Sequence, residues 1–164
     1  MIGIVYYSRT GNTRAVASIL AEKFRQKQLT VDVIEIEAVK RPGFFTAGRA
    51  AMKQQELPIK NPNTDLGKYT TLIVGSPTWG GCAPPFIKTF FSSAKNVTGK
   101  KTALFITGGG KPDPQGKPRQ MIQQTLQNLG MDNPTLFLGL QMGKGKIKAG
   151  EQEIDVFIQS VLKK

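Results

Sequence analysis

The sequence predicts an α/β doubly wound three-layer sandwich, with helices on both faces of a five-stranded parallel sheet. Two observations lead there. Short apolar runs of β-branched and aromatic residues alternate with stretches of helical period. The strand runs are also nearly continuous in apolar character, as strands buried on both faces should be.

The elements follow in order. Ile2 to Tyr6 is the first strand, ending at Tyr6-Tyr7, and Val16, Ile19, Leu20 and Phe24 then recur at i, i+3, i+4 and i+8. Val31 to Ile36 is the second strand. Lys40 to Asn63 is irregular, rich in Pro, Gly, Lys and Arg, with a short helix expected around Phe45 to Gln55. Leu72 to Val74 is the third strand, and Ile87, Phe90 and Phe91 share a helix face. Ala103 to Ile106 and Thr135 to Leu138 are the fourth and fifth strands, separated by the helical spacing of Ile122, Leu126 and Leu129. Ile154, Phe157, Ile158 and Val161 mark a last helix. Right-handed crossovers then connect parallel strands, and residues 1–164 read as one domain.

Composition narrows the chemistry. The 23 basic and 11 acidic residues give a formal charge of +12. Histidine is absent, so imidazole triads and histidine zinc sites are excluded, and the single Cys82 can form neither an internal disulfide nor a cysteine metal site. Cys82 reads either as a redox thiol or as an incidental loop residue. No apolar run nears the roughly 18 residues of a membrane span, so no transmembrane segment is expected. Met1 to Tyr6 enters a strand without the charged and long apolar regions of a signal peptide, so a cytoplasmic location is expected. The basic residues are scattered, and the one dense run, Lys144 to Lys148, has no helix-turn-helix, RNA-binding or zinc pattern beside it. No specific nucleic-acid partner is expected. That run reads as a solvated loop before the last helix, with a membrane-surface patch as the alternative. No metal site and no dedicated catalytic acid or base stands out, so a cofactor is expected to carry any chemistry.

The strongest signal follows the first strand. Ser8-Arg9-Thr10-Gly11-Asn12-Thr13 places three hydroxyls and a glycine at a strand-to-helix turn. Backbone N–H groups, the helix N-terminus and hydroxyl donors there suit a phosphate. An ordinary helix cap is the alternative, but a cap needs one such residue and this loop offers four. Other phosphate motifs fail: Thr98-Gly99-Lys100-Lys101 lacks the magnesium-holding residue of a P-loop. The first turn has no Gly-x-Gly-x-x-Gly, and it has no cysteine for a phosphatase nucleophile.

A second loop, Gly75-Ser76-Pro77-Thr78-Trp79-Gly80-Gly81-Cys82, follows the third strand and holds the only tryptophan. An indole exposed in a Gly/Pro loop is suited to stack on a flat ligand, and a packing plug is the alternative. Strand order 2-1-3-4-5 would make the two loops neighbours at the switch point of the sheet.

At these two loops the chain resembles the flavodoxin family. Ser8 to Thr13 matches the family's phosphate loop, and Ser76-Pro77-Thr78-Trp79-Gly80 looks like its first flavin-flanking loop. The resemblance runs over the whole chain in its short form. It implies the flavodoxin-like order 2-1-3-4-5 and tight, non-covalent FMN. Ser8, Arg9, Thr10, Gly11, Asn12 and Thr13 would surround the phosphate, and Trp79 would stack on the isoalloxazine beside Ser76, Pro77, Thr78 and Gly80. Thr107, Gly108, Gly109 and Gly110 would meet the ring edge.

The chain also departs from that family. Carrier flavodoxins place an aromatic ring and acidic residues in the third loop, whereas here no aromatic lies between Ile106 and Leu136. Three glycines leave one flavin face uncovered. The surface is basic rather than acidic, and Lys111 is expected near the flavin's N1 edge. The segment Arg41 to Met52 reads as a cover for a sheet edge, or as a lid beside the flavin or the surface of a homodimer. The function expected is therefore an FMN-binding redox protein that passes electrons. The alternative is an FMN-dependent NAD(P)H reductase acting on quinones or similar small acceptors. A flavin-free anion-binding module is the third reading. An acidic protein, NAD(P)H or a quinone would be the redox partner.

Overall fold

The structure, a computed structural model, describes residues 1–163, without the side chain of Phe44. Lys164 and the ring of Phe44, which the sequence sets beside Phe45, lie outside the described residues. Strands β1 (Ile2–Tyr6), β2 (Val31–Glu35), β3 (Thr71–Pro77), β4 (Lys101–Gly108) and β5 (Leu136–Gly143) are parallel neighbours in the order β2-β1-β3-β4-β5. Helices α1 (Asn12–Gln26), α2 (Phe44–Lys53), α3 (Pro85–Ser93), α4 (Lys117–Asn128) and α5 (Glu153–Lys163) complete the α/β architecture.

Alternation along each strand divides the apolar residues between two cores. Ile4, Tyr6, Ile73 and Phe105 face α1 and α5, where they meet Leu20, Phe24, Phe157 and Ile158. Val5, Tyr7, Val74, Leu104 and Ile106 face the other way, toward Phe86, Phe90, Ile122 and Leu126. The register is tight at the centre. Gly75 pairs with Tyr6 on one side and Phe105 on the other, and a Cβ there would lie 2.1 Å from the Phe105 ring.

The sheet differs from expectation at its edge. It has six strands, because the basic run expected to be a loop forms β6 (Lys146–Ala149), antiparallel to β5. Lys144 and Gly145 both take positive φ, 51° and 76°, the geometry of a two-residue hairpin turn. Ile147 packs against the inner core while Lys146 and Lys148 flank it. A lysine-bearing strand at a sheet edge discourages further pairing, and a strand of four residues with only Ile147 and Ala149 apolar gives a weak periodic signal. Strands β3, β4 and β5 also run past the apolar stretches that reveal them. Ser76, Pro77, Thr107 and Gly108 are consequently strand ends rather than loop residues. Among the described residues no helix is long and apolar enough to cross a membrane.

Candidate functional site

The crossover from β1 packs α1 on one face of the sheet, and the crossover from β3 packs α3 on the other. The chain therefore leaves β1 and β3 in opposite directions, and a crevice opens outside their carboxyl ends. A cavity of about 630 Å³ occupies it. Arg9, Thr10 and Asn12 line it from the first loop, Pro77, Thr78, Trp79 and Gly80 from the second, and Thr107, Gly108 and Gly109 from the third. Ser8, Gly11, Thr13, Ser76 and Gly110 do not line it.

Four of these five brace the loops from behind. Buried Ser8 accepts a hydrogen bond on Oγ from the Gly11 amide at 3.1 Å, which shapes the turn into α1. Thr13 is buried and shares a 2.9 Å hydroxyl contact with Thr107, tying the first loop to the third. Gly110 places its carbonyl under Gly108. Ser76 is wholly buried and donates to the Pro77 carbonyl. Among the described residues the amides of Arg9, Thr10, Asn12 and Thr13 have no protein acceptor. Four free donors at the start of a 15-residue helix form an anion cradle. Asn12 is partly engaged, since its Oδ1 accepts from the Gly145 amide of the β5–β6 turn.

The second loop corrects one expectation. Trp79 does not stand exposed: it is 9% accessible and belongs to the core. Its backbone exchanges both hydrogen bonds with Cys82 around Gly80 and Gly81, whose φ values of 55° and 78° only glycine adopts freely. This tight turn folds the indole back nearly perpendicular to the Tyr7 and Phe86 rings, with ring centres 5.5 and 6.0 Å away. The Arg9 guanidinium lies over the indole, 5.5 Å from its centre. Cys82 is itself buried. The third loop is held by Thr78, whose amide donates to the Thr107 carbonyl, and by Gln141, which donates to the Gly109 carbonyl.

Lys111 is also displaced from its expected role. It pairs with Glu153 of α5 at 2.5 Å and lies outside the cavity lining. Asp113 closes a turn by accepting from the Gln115 amide. Behind the first loop, Tyr6 donates to Glu35, which also holds Arg14 in a bidentate pair. Burial first, and then the Glu35 hydrogen bond, push the Tyr6 hydroxyl up to about 12. Burial likewise raises the Tyr7 hydroxyl, while nearby Arg41 and Arg9 oppose the shift.

One wall was only half legible. Helix α2 turns Ala47, Ala50 and Ala51 into the core and lines the cavity with Phe45, Gly48, Arg49, Met52 and Lys53. The segment is thus both cover and cavity wall. The spacing i, i+3, i+4, i+7 and i+8 of those five residues carried the signal, but small alanines opposite them gave too weak an apolar stripe. The lining contains three cations, Arg9, Arg49 and Lys53, and no carboxylate. Among the described residues none of the three has an ion-pair partner.

A phosphate-bearing planar ligand fits this donor set. The cradle and Arg9 meet an anion, the indole offers an aromatic surface, and Gly108 and Gly109 let backbone approach an edge.

Comparison with known proteins agrees in kind. The family model described as NADPH-dependent FMN reductase matches residues 4–136. Flavodoxin 1 of Shigella flexneri is 28% identical over 152 residues, covering 87% of this chain and 73% of that protein. A flavoprotein of Lactobacillus acidophilus solved in complex with FMN superposes with a TM-score of 0.66 at 21% identity, covering 95% of this chain and 97% of the other. Oxidised flavodoxin 2 of Bacillus cereus does so with a TM-score of 0.59 at 20% identity, covering 98% and 94%. At these identities the two structural likenesses are likenesses of fold.

Proposed function

The chain belongs to the NADPH-dependent FMN reductase family, and from that premise we propose that it is an FMN-dependent oxidoreductase that draws electrons from NAD(P)H and delivers them to a quinone or similar small acceptor. FMN is its cofactor, which leaves the flavin-free reading without support. The observation that carries the proposal is the cavity lining, with three cations and no carboxylate. One FMN phosphate brings about −1.5 to −2 charges, and the free amides at the α1 end of the cavity would hold it. The cations of α2 remain to attract a second anionic reactant.

The side chains then have distinct tasks. The amides of residues 9, 10, 12 and 13, with Thr10 and Arg9, hold the phosphate at the α1 N-terminus. For Trp79 to stack on the isoalloxazine, Arg9 leaves the indole and turns to the phosphate. Gly108 and Gly109 bring backbone against the ring edge, and the Thr13–Thr107 contact keeps the phosphate and ring subsites in register. When bound, FMN supplies a carrier that accepts a hydride from reduced nicotinamide and returns two electrons to an oxidised acceptor. Protein groups bind and orient, and none in the lining is placed as an acid or base.

The test is anaerobic titration of the FMN-reconstituted protein with NADPH and then NADH. Rapid loss of the oxidised flavin absorbance, restored by a quinone, is the expected result. A flavin reduced by dithionite but by neither nucleotide would overturn the proposal. It would favour one-electron transfer to an acidic protein, the reading that similarity to Flavodoxin 1 supports.

A further inference from the structure

We propose that Arg49 and Lys53 of α2 form the recognition site for the phosphates of the dinucleotide electron donor, an inference that rests on the reductase reading above. The two residues are four apart on one helix, so their Cβ atoms stand about 5–6 Å from each other on one face. Both line the cavity, both are exposed, and neither has a carboxylate within ion-pairing distance among the described residues. Two unneutralised cations at that spacing match the oxygens of a pyrophosphate or a phosphate monoester, and arginine can engage them bidentately.

Their position assigns them to the donor rather than to the cofactor. The FMN phosphate has its own cradle at the start of α1, with Arg9 beside it. Helix α2 meets the cavity from the Trp79 loop, where Gly48 stands 3.9 Å from the position a Gly80 Cβ would take. Phe45 and Met52 flank the two cations on the same wall. That wall is amphipathic: its apolar side chains suit a nucleoside and its cations suit the linking phosphates. Because the cations face a concavity, a small anion fits better than the flat surface of an acidic protein.

The double variant Arg49→Glu/Lys53→Glu, loaded with FMN, separates the possibilities. Both positions are exposed, and FMN affinity measured by fluorescence reports that the folded site is retained. The expected result is a rise of about tenfold or more in KM for NADPH, with kcat within twofold and FMN affinity unchanged. The swap Arg49→Lys/Lys53→Arg should recover most of the KM. An equal rise in KM for NADH assigns the pair to the pyrophosphate. A rise for NADPH alone assigns it to the additional phosphate monoester. Wild-type KM values in the double variant would overturn this inference and leave the reductase reading intact. A wild-type protein that binds FMN but is reduced by neither nucleotide would overturn both. Unchanged nucleotide kinetics with lost reduction of an acidic protein acceptor would reassign the pair to protein docking and likewise overturn it.

Discussion

Tyr6 and Trp79 show how single side chains in this fold are held by unequal neighbours. Trp79 packs nearly perpendicular to the Tyr7 and Phe86 rings, while a charged group, Arg9, lies over its own ring. A cation over an indole contributes roughly 0.5–1 kcal/mol where water has access, which a stacked flavin can replace. Tyr6 is held by a fixed charge: its hydroxyl donates to Glu35 at 3.0 Å, and Arg14 holds the same carboxylate. The folded hydroxyl resists ionisation until about 12, against 10.0 for the free group. A raised folded value means stability that is complete below pH 10 and is lost as pH rises toward 12. Tyr6→Phe should therefore be less stable than wild type by about 1 kcal/mol at pH 8, and the difference should shrink as pH rises through that window. Urea midpoints of both proteins at pH 8 and pH 11 check this. A difference that stays constant or widens would contradict it.

Elements succeed here where small residues let them approach. Helix α2 lies against the core through Ala47, Ala50 and Ala51, and so can turn its larger residues to the cavity. Strands β1, β3 and β4 meet around Gly75, whose missing Cβ is filled by the Phe105 ring. Gly75→Ala should lower stability by about 1–3 kcal/mol through overpacking, read as a lower urea midpoint with unchanged slope. Adding Phe105→Leu should return part of the loss, since the shorter side chain vacates the contact. An unchanged midpoint in the single variant would refute the packing argument. The β5–β6 hairpin is fastened to the first loop by the Gly145–Asn12 hydrogen bond, which joins the sheet edge to the anion cradle.

The whole molecule carries a formal charge of +12. A field of that size attracts anionic reactants from a distance and is screened by salt. The screening length falls from about 30 Å at 0.01 M to about 8 Å at 0.15 M ionic strength. The KM for NADPH should accordingly rise severalfold across that range, while the KM for an uncharged quinone stays nearly constant. Equal salt dependence for both would show that the charge does not act on the donor.

The sequence by itself determined the alternation of strands and helices, the first five strands along the chain, and the two loops that carry the hydroxyl-rich turn and the tryptophan. These signals are local: they lie in residue spacing within one element, or in hydroxyls and glycines crowded into a single turn. Only the tertiary structure decided which marked residues reach the cavity and which support them from behind. The side chains of Ser8 and Thr13 looked like that of Thr10 in the sequence, yet both are buried and brace the loops, Ser8 through the Gly11 amide and Thr13 through Thr107, 94 residues away. Lys111 was drawn off by Glu153, 42 positions on. The basic run became a strand because the β5 edge was there to pair with it, and α2 became a wall because Gly48 meets the Trp79 turn. Each outcome depends on a partner remote in the chain, and residue spacing holds no record of a partner until the fold brings it near.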